Sequence, residues 1–315
     1  MGKILVTGVD GNFGRRSAEI LMKKIPAEQL IFTSPNQLAL EQYAKKGVMT
    51  RCANFNDAKQ LAEAFKDAET LLLISMPFVG PKRREAHKNA VDACVTAGVK
   101  RLIYTSIVGA GLDECDTYEV SDHKITEQYI KKQPINYVFL RDSQYAEAMV
   151  SAFEEAYMNT NGVLSNNMGD GLMAYISRDD CAKAAAYVAA GAGGDNVVYN
   201  ISGPEAISIS EYLKIASEVT GKKVIYNEIT DEQTYEYFDS VGVPRTTEDM
   251  WKDSAKNFPF CSDGMVTFGR AIRLNQMSDC TNDFEMLTGS KPLSVREIFE
   301  DIENHKIGAR TSTDQ

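Results

Sequence analysis

Three glycines stand three residues apart in Thr7-Gly8-Val9-Asp10-Gly11-Asn12-Phe13-Gly14. Glycine at the first position permits a tight turn. At the second it lets backbone approach a diphosphate, and at the third it lets a helix pack closely on a strand. The segment follows an apolar run, Lys3-Ile-Leu-Val-Thr7. It opens a helical pattern from Arg15 to Lys24, with Ala18, Ile20, Leu21 and Ile25 on its inner side. An anion at such a helix start meets unpaired N–H groups and the positive end of the helix dipole. The chemistry implied is capture of a dinucleotide diphosphate.

The end of the next apolar run, Leu30-Ile-Phe-Thr33, bears on the ribose. A carboxylate there would hold a 2′-hydroxyl. The chain instead continues Ser34-Pro35-Asn36, with no acid until Glu41. Strict selectivity for NAD is therefore unsupported. Arg15 and Arg16 stand where they could reach a 2′-phosphate, although first-turn arginines are as often simply solvated. The expectation is NADP as cofactor, with NADPH preferred to NADH.

The elements that must position these residues alternate. Strand-like runs at Val48–Ala53, Thr70–Ser75, Arg101–Ser106 and Asn136–Arg141 are separated by helical patterns at Asn36–Lys46, Asn56–Phe65, Arg83–Ala97 and Ser121–Lys132. Asn56 or Asp57 is placed to cap one helix, and Gly98 to stop another. Thr70-Leu-Leu-Leu-Ile-Ser75 is apolar on both faces, as a strand covered on both sides should be. This rhythm predicts right-handed crossovers and a doubly wound parallel sheet, an α/β Rossmann fold.

After Arg141 the rhythm breaks. Helices are expected at Tyr145–Tyr157, Asp179–Ala190, Ser208–Thr220 and Ser294–Asn304, and strands at Asn196–Ser202 and Lys223–Tyr226. Segment 161–170 reads as a loop, and 231–277 as a polar stretch punctuated by glycine and proline. The expected division is a dinucleotide-binding part, residues 1–157 with a return strand at 195–202. A smaller substrate-side region covers 158–194 and 203–305, and a flexible tail 306–315.

Composition narrows the function classes. The net charge of −10 disfavours polyanionic partners such as nucleic acids. No run reaches the roughly 18 to 20 apolar residues a membrane span needs. The six cysteines are scattered, without a CxxC pair, so neither a disulfide framework nor a zinc site is expected. A cytoplasmic location, no membrane or nucleic-acid partner and no metal are the expectations, with a homodimer possible.

Further segments carry a family resemblance. Ala53-Asn54-Phe55-Asn56-Asp57 looks like an adenine-contacting strand end, and Leu72-Leu-Ile-Ser75-Met76-Pro77-Phe78 like a strand running onto the cofactor. His123-Lys-Ile-Thr126-Glu127 followed by Asn136-Tyr-Val-Phe-Leu-Arg141, Tyr175-Ile-Ser-Arg178-Asp-Asp180, and Tyr199-Asn-Ile-Ser-Gly203-Pro204-Glu-Ala206 complete the pattern. Together they resemble the NmrA-like atypical branch of the short-chain dehydrogenase/reductases. That branch includes NADPH-quinone reductases, triphenylmethane-dye reductases and redox-sensing regulators. The resemblance implies dinucleotide contacts from Thr7, Gly8, Asp10, Gly11, Asn12, Phe13, Gly14 and Arg15, and from Ser34, Asn54 and Phe55. It adds Ser75, Met76, Pro77, Thr105, His123, Ser143, Gln144, Tyr145 and Arg178. Two departures stand out. Relatives often carry Arg where this chain has Ser34, and they more often read Arg-Asn-Gly-Trp-Tyr where it reads Arg141-Asp142-Ser143-Gln144-Tyr145.

Typical short-chain dehydrogenases protonate a carbonyl through Tyr-x-x-x-Lys. None of the fourteen tyrosines here has Lys four residues on. Aligning through Glu127 puts His123 at the Lys position and Glu119 at the Tyr position. The missing machinery favours acceptors that need little acid catalysis: a quinone, a dye or another conjugated aromatic or enone. Hydride transfer to these depends mainly on positioning. His123, Tyr145 and Ser106 are the candidate catalytic residues, with Tyr118 and Tyr104 behind them. Met149, Met158, Met168, Met173, Met250, Met265 and Met277, with Trp251, Phe258 and Phe260, could line an adaptable aromatic pocket. The leading reading is an NAD(P)H-dependent reductase. A redox sensor that binds NADP without turnover is the alternative, and an epimerase or dehydratase the third.

Overall fold

Every apolar run of the first half forms a strand in this computed structural model, which describes residues 2–247 and 260–306. The strands are β1 (Lys3–Val6), β2 (Leu30–Ser34), β3 (Met49–Cys52), β4 (Ala68–Leu73), β5 (Arg101–Ile107) and β6 (Asn136–Asp142). Between them run α1 (Asn12–Lys24), α2 (Gln37–Ala44), α3 (Ala58–Ala64), α4 (Pro81–Ala97) and α5 (Tyr118–Lys131). Local chemistry sets their ends. Asn36 caps α2 by accepting from the amides of Leu38 and Ala39, and Asp57 caps α3 from Lys59 and Gln60. Gly98 ends α4 in the left-handed conformation, φ 74°.

The second half continues as α6 (Ala146–Asn159), β7 (Val163–Asn166), β8 (Leu172–Met173), α7 (Arg178–Ala189), β9 (Val197–Ile201) and β10 (Ile207–Ser208). Then come α8 (Ile209–Thr220), β11 (Ile225–Glu228), α9 (Asp231–Ser240), α10 (Ser262–Arg273), α11 (Asp283–Thr288) and α12 (Val295–Glu300).

Two readings of this half are corrected. Segment 161–170 is not all loop, because β7 within it pairs in parallel with β11, Val163 opposite Ile225. Segment 231–277 is not irregular throughout, because it carries α9 and α10. Asp231 ties them together, taking Arg270 Nε at 2.7 Å and Arg273 Nη1 at 3.1 Å. The glycines of α10 suggested a loop, yet Gly269 serves close packing: a Cβ there would sit 2.0 Å from Asn167 Oδ1. Trp251, Met250, Phe258 and the tail beyond residue 306 lie outside the described residues.

The seven-stranded sheet is parallel throughout, in the order β3-β2-β1-β4-β5-β6-β9. β9 thus returns beside β6, with Leu140 opposite Tyr199. One face packs α1 against α7 through Leu21 and through Ala18, Ala182 and Ala185, small residues that let the helices approach closely. The other face carries α3, α4 and α5 through Leu61, Ala90, Val91, Cys94 and Ile130. A third apolar cluster, including Phe153, Tyr212, Leu213 and Phe299, holds α6, α8 and α12 together. The strand order reverses between β1 and β4. A crevice opens at their carboxyl ends because the connections leave in opposite directions there. Among the described residues no helix is long and apolar enough to cross a membrane.

Candidate active site

The glycine turn lies at that crevice. Gly8 has φ 62°, and nothing lies within 4 Å of where its Cβ would be. Gly11 donates its amide to the Gly8 carbonyl at 3.1 Å. A Cβ on Gly14 would fall 2.1 Å from that carbonyl oxygen, so α1 can start here only on glycine. The turn therefore presents open backbone to a cavity of about 220 Å³, lined also by Thr33, Pro35, Phe55, Ser75, Met76, Pro77 and Arg178. A second cavity of about 410 Å³ adjoins it, and Phe13 and Ile74 to Pro77 line both. Its far wall includes Arg83, Ser106, His123, Asp142, Gln144 and Phe268. Two compartments sharing one wall suit a dinucleotide with an acceptor beside its reactive end.

Polar side chains around the second compartment include two hydrogen-bonded groups and two further buried acids, Asp142 and Glu119. In the first group the Met76 amide donates to His87 Nε2 at 3.1 Å. His87 Nδ1 lies 3.1 Å from Thr126 Oγ1 and 3.3 Å from the Tyr104 hydroxyl. That hydroxyl is 2.7 Å from His123 Nδ1. Burial, followed by the Arg83 charge, holds both imidazoles well below the ordinary histidine pKa, so both are neutral at pH 7. His123 thus enters any reaction as a neutral ring. In the second group Ser106 donates to Glu127 Oε1 at 2.7 Å, and Arg141 grips the same carboxylate.

Asp142 stands at the end of β6. Among the described residues no cation pairs with it, and its Oδ1 is buried without a hydrogen-bond partner. Its Oδ2 accepts from the Tyr145 hydroxyl at 3.2 Å. Burial pushes its pKa up to about 8, so much of it stays protonated at neutral pH. Burial also raises the Tyr145 phenol. Gln144 Oε1 and Arg83 Nε are likewise buried without hydrogen-bond partners among the described residues, while Arg83 Nη1 faces Asp122 Oδ2 at 3.9 Å. Unpaired polar atoms in a cleft wall fit a site built to receive a polar ligand.

The structure brings most of the sequence-predicted residues to this cleft. Gly8, Asp10, Gly11, Asn12, Phe13, Gly14, Phe55, Ser75, Met76, Pro77 and Arg178 line the first compartment. Thr105, Ser106, His123, Ser143, Gln144 and Tyr145 line the second. Five others stand apart. The Thr7 hydroxyl stitches β1 to β4, donating to the Leu72 carbonyl and accepting from the Ile74 amide. The Ser34 hydroxyl accepts from the Asn36 amide inside the turn. Arg15 pairs with Glu19, and Arg16 with Asp179. Asn54 lines a neighbouring depression with Cys52 and Gln60, which shares Pro35 with the first compartment. Among the described residues the expected methionine pocket is not formed: Met149, Met168, Met173 and Met277 belong to the α6–α8 core, while Met158 and Met265 are exposed. The apolar wall is Phe13, Ile74, Met76 and Phe268 instead.

Sequence reasoning passed over Arg83, His87 and Phe268. His87 carried a usable signal. It interrupts the inward stripe of α4, which also holds Ala86, Ala90, Val91 and Cys94. A polar ring on such a stripe needs buried partners.

Comparison with known proteins agrees with this geometry. The NmrA-like family profile matches residues 1–259. Quinone oxidoreductase 2 of Escherichia coli K12 is 33% identical over 251 residues, 80% of this chain and 86% of the relative. The crystal structure of the NADPH-dependent quinone oxidoreductase of Escherichia coli with NADPH matches with a TM-score of 0.84 at 28% identity, covering 96% of this chain and 100% of that one. Triphenylmethane reductase of Citrobacter sp. with NADP(H) gives a TM-score of 0.79 at 29% identity, over 95% and 99% of the two chains. The chain belongs to the NmrA-like family.

Proposed function

We propose that this protein is an NADPH-dependent reductase that passes hydride to a quinone, a dye or another conjugated, electron-poor acceptor. One observation carries the reading: the glycine-turn compartment and the compartment holding His123 and Asp142 share Phe13 and Ile74 to Pro77 as a common wall. Relatives named as NADPH-dependent quinone and triphenylmethane reductases support both the cofactor and the acceptor class.

The glycine turn would hold the diphosphate, Phe55 the adenine side, and Ser75 to Pro77 with Thr105 the nicotinamide end. When bound, NADPH supplies the hydride. The chain's own work is then positioning and exclusion of water. Phe13, Ile74, Met76 and Phe268 offer a flat acceptor an apolar wall. Gln144, Asp142 and His123 offer its polar edge hydrogen-bonding groups. We read residues 1–157 with the return strand as the cofactor-binding part and 158–194 with 203–305 as the substrate side, which contributes Arg178 and Phe268 to the cleft. The acidic surface supports a small-molecule acceptor rather than a polyanion.

NADPH oxidation with a panel of quinones, triphenylmethane dyes, enones and simple ketones tests this. Turnover is expected with quinones and dyes, and little with unconjugated ketones. Tight NADPH binding without turnover on any acceptor would overturn the reductase reading in favour of a redox sensor.

A further inference from the structure

We infer that His87 and Tyr104 are positioning residues that hold His123 in the neutral tautomer with its proton on Nε2, presenting a carbonyl-specific hydrogen-bond donor to the cleft. The use of that donor rests on the reductase reading. The tautomer itself follows from the hydrogen-bond pattern between two buried, neutral rings.

A backbone amide can only donate, so the Met76 amide makes His87 Nε2 an acceptor. A neutral His87 must then carry its proton on Nδ1. That nitrogen donates to the Thr126 hydroxyl at 3.1 Å, which passes its own proton to the Asp122 carbonyl, and it also faces the Tyr104 oxygen at 3.3 Å. Tyr104 therefore cannot donate to His87. The Thr126 and Ser75 side chains also hydrogen-bond the phenol oxygen, and its shortest contact, 2.7 Å to His123 Nδ1, takes the phenol proton and leaves that nitrogen bare. His123 is left with its proton on Nε2, on a ring that lines the second compartment.

Charged and titratable neighbours do not favour a second proton. Around His123 stand Arg83 and His87 from α4 and Tyr104 from β5, with Glu119 and Glu127 one turn away on its own helix. The Glu127 carboxylate is already taken by Ser106 and Arg141. A neutral donor fixed before the reaction can stabilise negative charge developing on a carbonyl oxygen without giving up its proton. It rewards acceptors that gather charge on oxygen, as quinones do. It offers little to a triphenylmethane cation, in which hydride quenches positive charge at carbon.

Two measurements test the inference. The first is nitrogen-15 NMR of the native protein labelled at histidine, which has only three such residues. His305, beside Glu147, is set apart because that carboxylate raises its pKa while burial lowers the other two. Opposite tautomers are expected for the other two at pH 7: Nε2 protonated in His123, Nδ1 protonated in His87. A proton on His123 Nδ1, alone or with Nε2, would overturn the inference. The second is Tyr104→Phe, assayed with a quinone and a triphenylmethane dye. Quinone kcat should fall about tenfold further than dye kcat, with the His123 resonances moving away from the pure Nε2–H form. Equal losses on both substrates, with the resonances unmoved, would reduce Tyr104 to a structural role. Should the variant fail to fold, the native spectrum still decides. Should no acceptor turn over, the reductase reading falls while the spectrum still judges the tautomer.

Discussion

Glu127 holds Arg141 through both carboxylate oxygens, Oε1 to Nε at 2.9 Å and Oε2 to Nη2 at 2.6 Å. The pair joins α5 to β6 beneath the cleft, and the same carboxylate receives the Ser106 hydroxyl. Both side chains are largely out of water, at 3% and 15% exposure. Glu127→Ala would strand a guanidinium and a hydroxyl together. A loss of about 3 kcal/mol is expected, read as a lower urea midpoint at unchanged slope. A shift under about 0.5 kcal/mol would mean the pair is solvated and contributes little.

Asp142 gives a pH dependence with a definite sign. Below about pH 4 it is protonated folded and unfolded alike. Between there and about pH 8 only the folded chain keeps the proton, because burial raises its pKa. Folding then takes up a proton, so this group's contribution is complete at low pH and is lost as pH rises through 8. Asp142→Asn mimics the protonated acid at every pH. Thermal unfolding should show the variant gaining on the native protein between pH 5 and pH 9. A constant Tm difference across that range would show that Asp142 ionises normally in the fold.

Gly14→Ala tests the cradle. Its methyl group would meet the Gly8 carbonyl at 2.1 Å, which only a backbone shift can relieve. A stability loss of about 1–3 kcal/mol is expected. NADPH affinity should fall further than stability alone explains, because the shift reshapes the turn. Unchanged affinity in a folded Gly14→Ala protein would move the diphosphate elsewhere.

Legibility in the sequence followed the strength of local signals. Strands such as Thr70–Ser75 are apolar on both faces and flanked by capped helices, so the sheet and its glycine turn could be read directly. The region after Arg141 hid its helices for physical reasons. Helix α9 buries only Thr234 among its described residues, so it shows almost no apolar stripe. Helix α10 carries Gly264 and Gly269, which look like breakers but permit close approach to Glu119 and Asn167. At the site, contiguous motifs such as Ser75-Met76-Pro77 were visible. The Tyr104–His123 and Ser106–Glu127 contacts join different elements and exist only after folding. Sequence order does not say that Arg15 turns to Glu19 or that Ser34 closes its own turn.

The central claim is that a reduced pyridine dinucleotide lies over the amides of the glycine turn. Isothermal titration of folded native protein with NADPH tests it most directly. The account predicts saturable heat at one site per chain, diminished in Gly14→Ala. Absence of saturable heat, with the protein shown folded by its cooperative melt, would contradict it.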